Sequence, residues 1–134
     1  NQVKTWIAEK NIPHILLSGS PGTGKSSLAQ VLINGMDIDP VDVLYINASD
    51  QTGVDNIRMQ VQNFVSTISM GDFKVVLLEE SDYLSPNAQA ALRRVMEDYS
   101  ESSRFILTCN LGHKIIPAIR SRSQEIILQK LLPL

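Results

Sequence analysis

The amino-acid sequence predicts an α/β fold in which a parallel sheet is covered by helices on both faces. Five short apolar runs, often rich in β-branched residues, recur along the chain, and segments with helical periodicity separate them. This alternation is typical of parallel strands, which are buried on both faces and are joined by crossover helices. The apolar runs span residues 12–19, 43–48, 74–80, 104–110 and 124–128.

The composition is that of an ordinary folded protein. The chain has 134 residues, of which 43% are hydrophobic and 19% are charged, and this suits one domain over residues 1–134. Because the net charge is −2, any nucleic-acid binding must use a local basic patch. The single cysteine, Cys109, excludes an internal disulfide and fits a reducing compartment.

No apolar run reaches the roughly 18 residues of a membrane span, and no signal peptide is recognisable, so we expect a soluble, non-secreted protein without a membrane partner.

Apolar stripes at helical spacing mark two of the intervening segments. The stripe of one helix consists of Ile57, Val61, Phe64, Val65 and Ile68. The stripe of the next consists of Ala88, Ala91, Leu92, Val95, Met96 and Tyr99. Stripes of this kind usually pack into a core, and we interpret them in this way. Ser85 followed by Pro86 predicts the N-terminus of the second of these helices.

Residues 19–26 match a phosphate-binding motif. The segment Gly19-Ser20-Pro21-Gly22-Thr23-Gly24-Lys25-Ser26 fits G-x-x-x-x-G-K-[ST] at every fixed position, between a predicted strand and a predicted helix. The glycines allow successive N–H groups to surround a phosphate at the helix N-terminus. Lys25 offers a charge to the terminal phosphates, and Ser26 offers a hydroxyl to Mg²⁺. We therefore predict that ATP and Mg²⁺ bind here, with a ligand set of Ser20, Pro21, Gly22, Thr23, Gly24, Lys25, Ser26 and Ser27. Ser27 is equally consistent with a local helix cap.

A pair of carboxylates follows the third apolar run. Glu79 and Glu80 lie at the carboxyl end of a strand, the edge at which open α/β sheets bind ligands, and they resemble a Walker B element. We assign Glu79 to the metal and Glu80 to the attacking water. A solvated strand end is the alternative. The metal position usually holds Asp, and the extra methylene of Glu79 displaces the carboxylate by about 1.5 Å, the length of one C–C bond.

The fourth run ends in Thr108, Cys109 and Asn110, which places a polar amide at the same edge of the sheet. Asn110 is able to hydrogen-bond both a γ-phosphate and a water molecule, and a strand-terminating turn residue is the alternative interpretation. We expect Cys109 to be buried. We expect His14 to be structural and His113 to be a solvated loop residue, since neither has a second metal-binding partner in the sequence.

Taken in order, these motifs resemble the AAA+ core of clamp-loader small subunits, such as the replication factor C small subunits and their phage counterparts. The resemblance covers nearly the whole chain. Beyond the phosphate motif and the acidic pair, it rests on Asn47-Ala48-Ser49-Asp50 with Gly53-Val54-Asp55 and Arg58, on Ala88-Gln89 with Leu92-Arg93-Arg94-Val95-Met96-Glu97 and Tyr99-Ser100, and on residues 114–122.

The resemblance implies a P-loop NTPase fold with three layers, α/β/α, and a five-stranded parallel sheet in the order 5-1-4-3-2. It implies that Asn110 is a sensor of the γ-phosphate and that Arg122 acts in trans on the ATP of a neighbouring subunit. It also implies that Arg58 and Arg94 contact the DNA backbone, and that Asn47 is a switch that holds Glu80 away from water. A solvated charged surface is the alternative for each of the three arginines.

By the same resemblance, the chain is the ATP-binding and hydrolysing core of a sliding-clamp loader subunit that couples ATP to clamp opening and loading on primer-template DNA. The implied partners are other subunits of a hetero- or homo-pentamer, the clamp and the DNA, at a cytoplasmic or nuclear site of replication. The helical lid and the collar of the family are expected outside this sequence. A non-hydrolysing ATP-bound assembly subunit and another AAA+ DNA-processing ATPase, such as a helicase loader or a branch-migration motor, are the alternatives.

Overall fold

The computed structural model describes residues 2–50 and 54–129, which form a five-stranded parallel sheet and its flanking helices. The strands are β1 (Ile15–Ser18), β2 (Val43–Asn47), β3 (Lys74–Glu79), β4 (Ser103–Cys109) and β5 (Gln124–Ile127). Their spatial order is β2-β3-β4-β1-β5, and all four pairings are parallel. This is the order 5-1-4-3-2 read from the opposite edge, so the predicted fold is confirmed. Gly53 and the chain from residue 130 onward lie outside the described residues.

Five helices cover the two faces of the described sheet. They are α1 (Gln2–Glu9), α2 (Lys25–Gly35), α3 (Val54–Val65), α4 (Pro86–Asp98) and α5 (Pro117–Arg120). Side chains of α1 and α2 belong to one apolar cluster with Leu17, and side chains of α3, α4 and α5 belong to another with Leu16. Because successive strand residues point to opposite faces, these neighbouring leucines lie on different sides of the sheet. The architecture therefore has three layers, as predicted.

The predicted apolar stripe of α4 is largely confirmed. Ala88, Leu92, Val95 and Met96 are buried, and the hydroxyl of Ser85 caps the helix by accepting a hydrogen bond from the N–H of Ala88 at 3.1 Å. Pro86, the first helical residue, has no N–H that would need a partner.

The predicted stripe of α3 is wrong at its last residue. The helix ends at Val65, and Ile68 is 95% exposed. The hydroxyls of Ser66 and Thr67 donate to the carbonyls of Asn63 and Phe64. These side chains therefore satisfy carbonyl groups of the last turn that would otherwise need another helical turn, and the helix ends there.

Two residues that the sequence suggested as structural lie in packed surroundings, His14 half-buried and Cys109 buried. The N–H of Phe105 donates to Nδ1 of His14 at 3.1 Å, and the two rings meet edge to face at 5.5 Å. Burial, together with the charge of Arg104, lowers the pKa of His14. Cys109 is buried, and its burial raises the pKa of the thiol to about 12. Both interpretations are confirmed.

A buried glutamine ties α4 to the segment that follows β4. Gln89 is 1% exposed, and its amide nitrogen donates to the carbonyls of Leu84 and Lys114 at 3.1 and 2.9 Å. Its amide oxygen accepts from the N–H of Ile116 at 2.7 Å. Gln89 therefore fixes the start of α5 against α4, and α5 leads to the segment that contains Arg122.

Candidate nucleotide-binding site

The loop between β1 and α2 requires glycine at two positions. A Cβ at Gly19 would lie 2.5 Å from the backbone oxygen of Leu128, so only glycine fits beside this carbonyl. Gly24, which directly precedes α2, has a φ of 91° in the left-handed region. Between them, the hydroxyl of Thr23 donates to the carbonyl of Ser20 at 2.8 Å. The loop thus has the tight, backbone-exposing shape that its sequence motif predicts.

Lys25 is folded against this loop. Its Nζ donates to the carbonyls of Gly19 and Ser20 at 2.8 and 3.0 Å. The ammonium charge therefore lies at the loop and at the N-terminus of α2, where anions are favoured. The other residues of the predicted phosphate site are exposed on the loop and on the first turn of α2; they are Ser20, Pro21, Gly22 and Ser27.

Glu79, the last residue of β3, brings the loop and the acidic strand end together. It is 7% exposed, and its Oε1 accepts a hydrogen bond from the hydroxyl of Ser26. Its Oε2 accepts a hydrogen bond from the hydroxyl of Tyr45. The two residues predicted to hold a metal, Ser26 and Glu79, are thus in direct contact.

Tyr45 is a component of the site that the sequence did not reveal. In the register of β2 and β3, Tyr45 pairs with Leu77 and Asn47 pairs with Glu79, so Tyr45 and Glu79 are diagonal neighbours across the strands. An aromatic side chain is long enough to span such a diagonal. The hydrogen bond to Glu79, followed by desolvation, raises the pKa of Tyr45 to about 12.

The donor set suits Mg²⁺. A hydroxyl and a carboxylate are hard oxygen ligands, and Mg²⁺ usually takes one or two protein carboxylates and keeps its other positions for water and phosphate. Ser26 already lies within hydrogen-bond contact of the Oε1 of Glu79, so one small ion is able to reach both. The residues present therefore fit the metal that the sequence suggested.

Glu80 turns the chain away from the sheet. Its φ of 56° and ψ of 45° are left-handed, and its N–H donates to the hydroxyl of Thr108 on β4 at 3.2 Å. Glu80 is partly exposed at the end of β3. It therefore lies at the same edge of the sheet as Glu79.

Asn110 lies at this edge one residue past β4, and Asp82 holds its backbone. The Oδ2 of Asp82 accepts from the N–H groups of Asn110 and Leu111 at 3.3 and 3.1 Å. Its Oδ1 is buried and has no hydrogen-bond partner among the described residues. Asp82 is a second supporting residue that the sequence motifs did not single out.

Arg122 is not brought to the phosphate loop of its own chain. Its Nε lies 2.6 Å from Oε1 of Glu97 near the end of α4, and Arg93 donates to the same oxygen. Arg93 and Glu97, four residues apart on α4, therefore form an ion pair that a third residue, Arg122, joins. Arg120 pairs separately with Glu125 at 3.1 Å.

Arg58 and Arg94 line one groove between α3 and α4. The groove has a volume of about 560 Å³ and also includes Asn87, Arg93 and Asp98. Arg94 is exposed and Arg58 is half-buried, with its guanidinium 3.5 Å from the side-chain oxygen of Gln62. The two residues predicted to contact DNA thus share a single, mainly basic surface.

Asn47 ends β2 and contacts the turn that follows it. Its side-chain oxygen accepts from the N–H and the hydroxyl of Ser49 at 3.0 and 2.7 Å. These hydrogen bonds stabilise the turn after β2. They do not involve the amide nitrogen of Asn47, the group able to donate to the carboxylate of Glu80, so the switch role stays a prediction.

The described part of the chain has neither a membrane-spanning helix nor a cluster of metal-binding side chains. Over residues 2–50 and 54–129, no helix combines the length and apolar character needed to cross a membrane. The same ranges contain no group of three or more His, Cys, Asp or Glu side chains placed to hold a metal ion.

The parallel sheet, with its glycine loop before α2 and its carboxylates at the end of β3, defines a P-loop nucleotide-binding domain. The family model of the ATPase family associated with various cellular activities (AAA) matches residues 15–131. The chain belongs to this family, and AAA domains bind nucleotide, typically with Mg²⁺.

Curated relatives are similar over most of the chain. The replication factor C small subunit of Saccharolobus solfataricus is 47% identical over 127 residues, which are 92% of this chain and 38% of that protein. The replication factor C small subunit of Methanosarcina barkeri is 44% identical over 126 residues, which are 90% and 38% of the two chains. The chain thus spans 38% of the length of these two relatives.

Solved structures share the fold. A DNA polymerase III γ subunit-related protein from Thermotoga maritima superposes with a TM-score of 0.77 at 20% identity, over 99% of this chain and 47% of the other. The T158V variant of RuvB from Thermotoga maritima superposes with a TM-score of 0.71 at 17% identity, over 96% and 41%. These similarities support the fold assignment.

Proposed function

We propose that this domain binds ATP with Mg²⁺ and hydrolyses it as the core of a sliding-clamp loader subunit that opens a clamp and loads it on primer-template DNA. The main support is the hydrogen bond between Ser26 and Glu79, which joins the phosphate loop to the acidic strand end. It occurs in a chain that is 47% identical over 127 residues to a replication factor C small subunit.

In this proposal the loop binds the phosphates through its backbone N–H groups and through Lys25, which exchanges its two carbonyl partners for phosphate oxygens. Ser26 and Glu79 hold Mg²⁺, which neutralises the charge that develops on the phosphates.

Glu80 and Asn110 act on the water molecule that attacks the γ-phosphate. Glu80 orients it and accepts its proton, while the amide of Asn110 hydrogen-bonds the water and the phosphate. The hydroxyl of Thr108 and the carboxylate of Asp82 hold the backbone of these two residues, so their positions depend on the strand ends rather than on a free loop.

Arg122 acts on the ATP of a neighbouring subunit. In its own chain it is bound to Glu97, on the sheet face opposite α2, so a role in trans suits its position. A guanidinium at a subunit boundary stabilises charge on the phosphoryl group in the transition state. The proposed assembly is a pentamer of like or related subunits.

The groove with Arg58 and Arg94 follows the DNA backbone. Contacts with the DNA backbone fix the position of a protein on the duplex, but they do not distinguish one base sequence from another. We further propose residues 1–134 as one AAA+ core domain of a chain that also has a lid and a collar, acting where DNA is replicated in the cytoplasm or nucleus.

The test is the ATPase rate of the full chain in its assembly with clamp and primed DNA. Lys25→Ala and Arg122→Ala should each lower turnover by at least about 100-fold, since each removes charge from the transition state. Lys10→Ala, which changes an exposed lysine at the end of α1, is the matched control. Unchanged turnover in either of the first two variants contradicts the proposal.

A non-hydrolysing subunit that keeps ATP as a structural ligand is a second candidate. The observation in its favour is Glu79, which is longer than the usual aspartate and has both oxygens bound by hydroxyls. Measuring ATP binding and hydrolysis separately distinguishes the two candidates. If the metal position limits turnover, Glu79→Asp should raise the hydrolysis rate without changing metal-free binding.

A further inference from the structure

The two oxygens of Glu79 have separate hydroxyl donors. Ser26, from α2, donates to Oε1, and Tyr45, from β2, donates to Oε2. These donors belong to two different elements of the fold. The glutamate is therefore fixed by one residue of the phosphate loop and by one residue that lies outside every recognised motif.

Tyr45 reaches Glu79 because of the strand register and not because of core packing. It lies on β2, an edge strand, and 53% of its surface is exposed. Exposure of this size means that the ring contributes little to the apolar core. Its most specific described contact is the hydrogen bond from its hydroxyl to Glu79.

A glutamate at the metal position has one more rotatable bond than an aspartate, and this freedom must be restrained if the carboxylate is to meet a metal reproducibly. A hydrogen bond from a tyrosine hydroxyl to an ionised carboxylate is strong and directional. A tyrosine ring is also stiff, because it turns about only two side-chain torsions.

We propose that Tyr45 is a positioning residue for the metal site: when Ser26 turns its hydroxyl oxygen to the ion, Oε1 of Glu79 becomes free, while Tyr45 still occupies Oε2 and thereby favours Mg²⁺ over Ca²⁺. Mg²⁺ needs an octahedral shell and takes carboxylates through one oxygen. Ca²⁺ accepts six to eight oxygens and often binds both oxygens of one carboxylate. This inference rests on the proposed function, since it concerns the same nucleotide and metal.

The experiment measures binding of a fluorescent ATP analogue to the full chain without divalent metal, with Mg²⁺ and with Ca²⁺. Tyr45→Phe removes only the hydroxyl, and Tyr83→Phe is the matched control at another exposed tyrosine, which is 67% exposed. In Tyr45→Phe, the Mg²⁺ concentration for half-maximal binding should rise by about five- to tenfold, which lies in the range for the net loss of one ordinary hydrogen bond at a partly exposed residue. Metal-free binding should stay within about twofold. Because the loss of the hydroxyl leaves Oε2 open to Ca²⁺, the preference for Mg²⁺ over Ca²⁺ should fall.

Glu79→Asp provides the second arm. The shorter carboxylate recedes from the tyrosine hydroxyl by about 1.5 Å. Adding Tyr45→Phe to Glu79→Asp should therefore change the Mg²⁺ dependence by less than about twofold.

Three outcomes overturn the inference. They are an unchanged metal preference in Tyr45→Phe, an equal loss of metal-free and metal-dependent binding, and a full effect of Tyr45→Phe in the Glu79→Asp background. Failure of the unmodified chain to bind the ATP analogue at all is a different result, because it contradicts the proposed nucleotide site itself.

Discussion

Arg122 and Glu97 form an ion pair in which Nε and Oε1 lie 2.6 Å apart, and Arg93 donates to the same carboxylate oxygen. The hydrogen bond from Arg93 is the largest cause that lowers the pKa of Glu97, and the charge of Arg122 acts in the same direction. Glu97 therefore remains ionised at neutral pH and competes with any other anion for Arg122.

Replacing Glu97 should make Arg122 more available to a neighbouring subunit. We expect Glu97→Gln to raise the ATPase rate of the assembled protein by about two- to fivefold, the range of a surface ion pair. Glu101→Gln, at an exposed glutamate just after α4, is the control and should have no effect. A rate as low as that of Arg122→Ala would show instead that Glu97 holds Arg122 in its working position.

The groove between α3 and α4 should bind DNA through phosphates alone. Arg58→Ala and Arg94→Ala should each weaken binding to a similar degree on every sequence, and each should reduce the slope of log affinity against log salt by about 1. Fluorescence anisotropy with two unrelated primed duplexes at several salt concentrations measures this. A sequence-dependent loss, or an unchanged salt slope, would contradict the assignment.

His14 should make the fold sensitive to mild acid. Its pKa is lowered in the folded chain, so below about pH 6.5 the unfolded chain takes up a proton that the folded chain does not. Stability should therefore fall as the pH decreases from 7.5 to 5.5, by at most about 1.4 kcal/mol per pH unit for this proton. Denaturant titrations of His14→Gln should show a shallower dependence than the unmodified chain, whereas His113→Gln, at an exposed residue, should not.

Gly19→Ala tests the shape of the phosphate loop. The added Cβ would lie 2.5 Å from the backbone oxygen of Leu128, which a small side-chain movement does not relieve. We expect a loss of about 1–3 kcal/mol in the free energy of unfolding, together with weaker ATP binding. Gly71→Ala is the comparison, because a Cβ there meets nothing within 4 Å. Equal effects of the two substitutions would refute the close contact.

The strands and the phosphate loop were predictable because they depend on local signals, whereas the order of the strands in the sheet was implied only by the family resemblance. Apolar runs identify strands, and the glycine-lysine motif has a fixed backbone requirement. The boundaries were less accurate: β1 begins at Ile15 rather than at Ile12, since Pro13 cannot donate a ladder hydrogen bond. The predicted stripe on α3 extended to Ile68, because apolar spacing carries no information about the hydroxyls of Ser66 and Thr67, which bind the carbonyls of the last turn.

The supporting residues of the site could not be predicted from local signals. The contact between Tyr45 and Glu79 depends on the register of two strands that are 34 positions apart at these residues, and one residue of slippage would reverse the face. The contact of Glu97 with Arg122 likewise depends on how the segment after β4 is fixed on α4. Periodicity specifies which face is buried, but it does not specify which polar groups meet.

The left-handed backbone of Glu80 implies that thermal stability and catalytic activity favour different residues at this position. A side chain in this conformation costs about 1–2 kcal/mol relative to glycine. Glu80→Gly should therefore melt at a higher temperature than Glu80→Ala, although both lack the carboxylate proposed to act on water. Selection for thermal resistance alone would favour glycine here, so a glutamate at this position is consistent with selection for turnover.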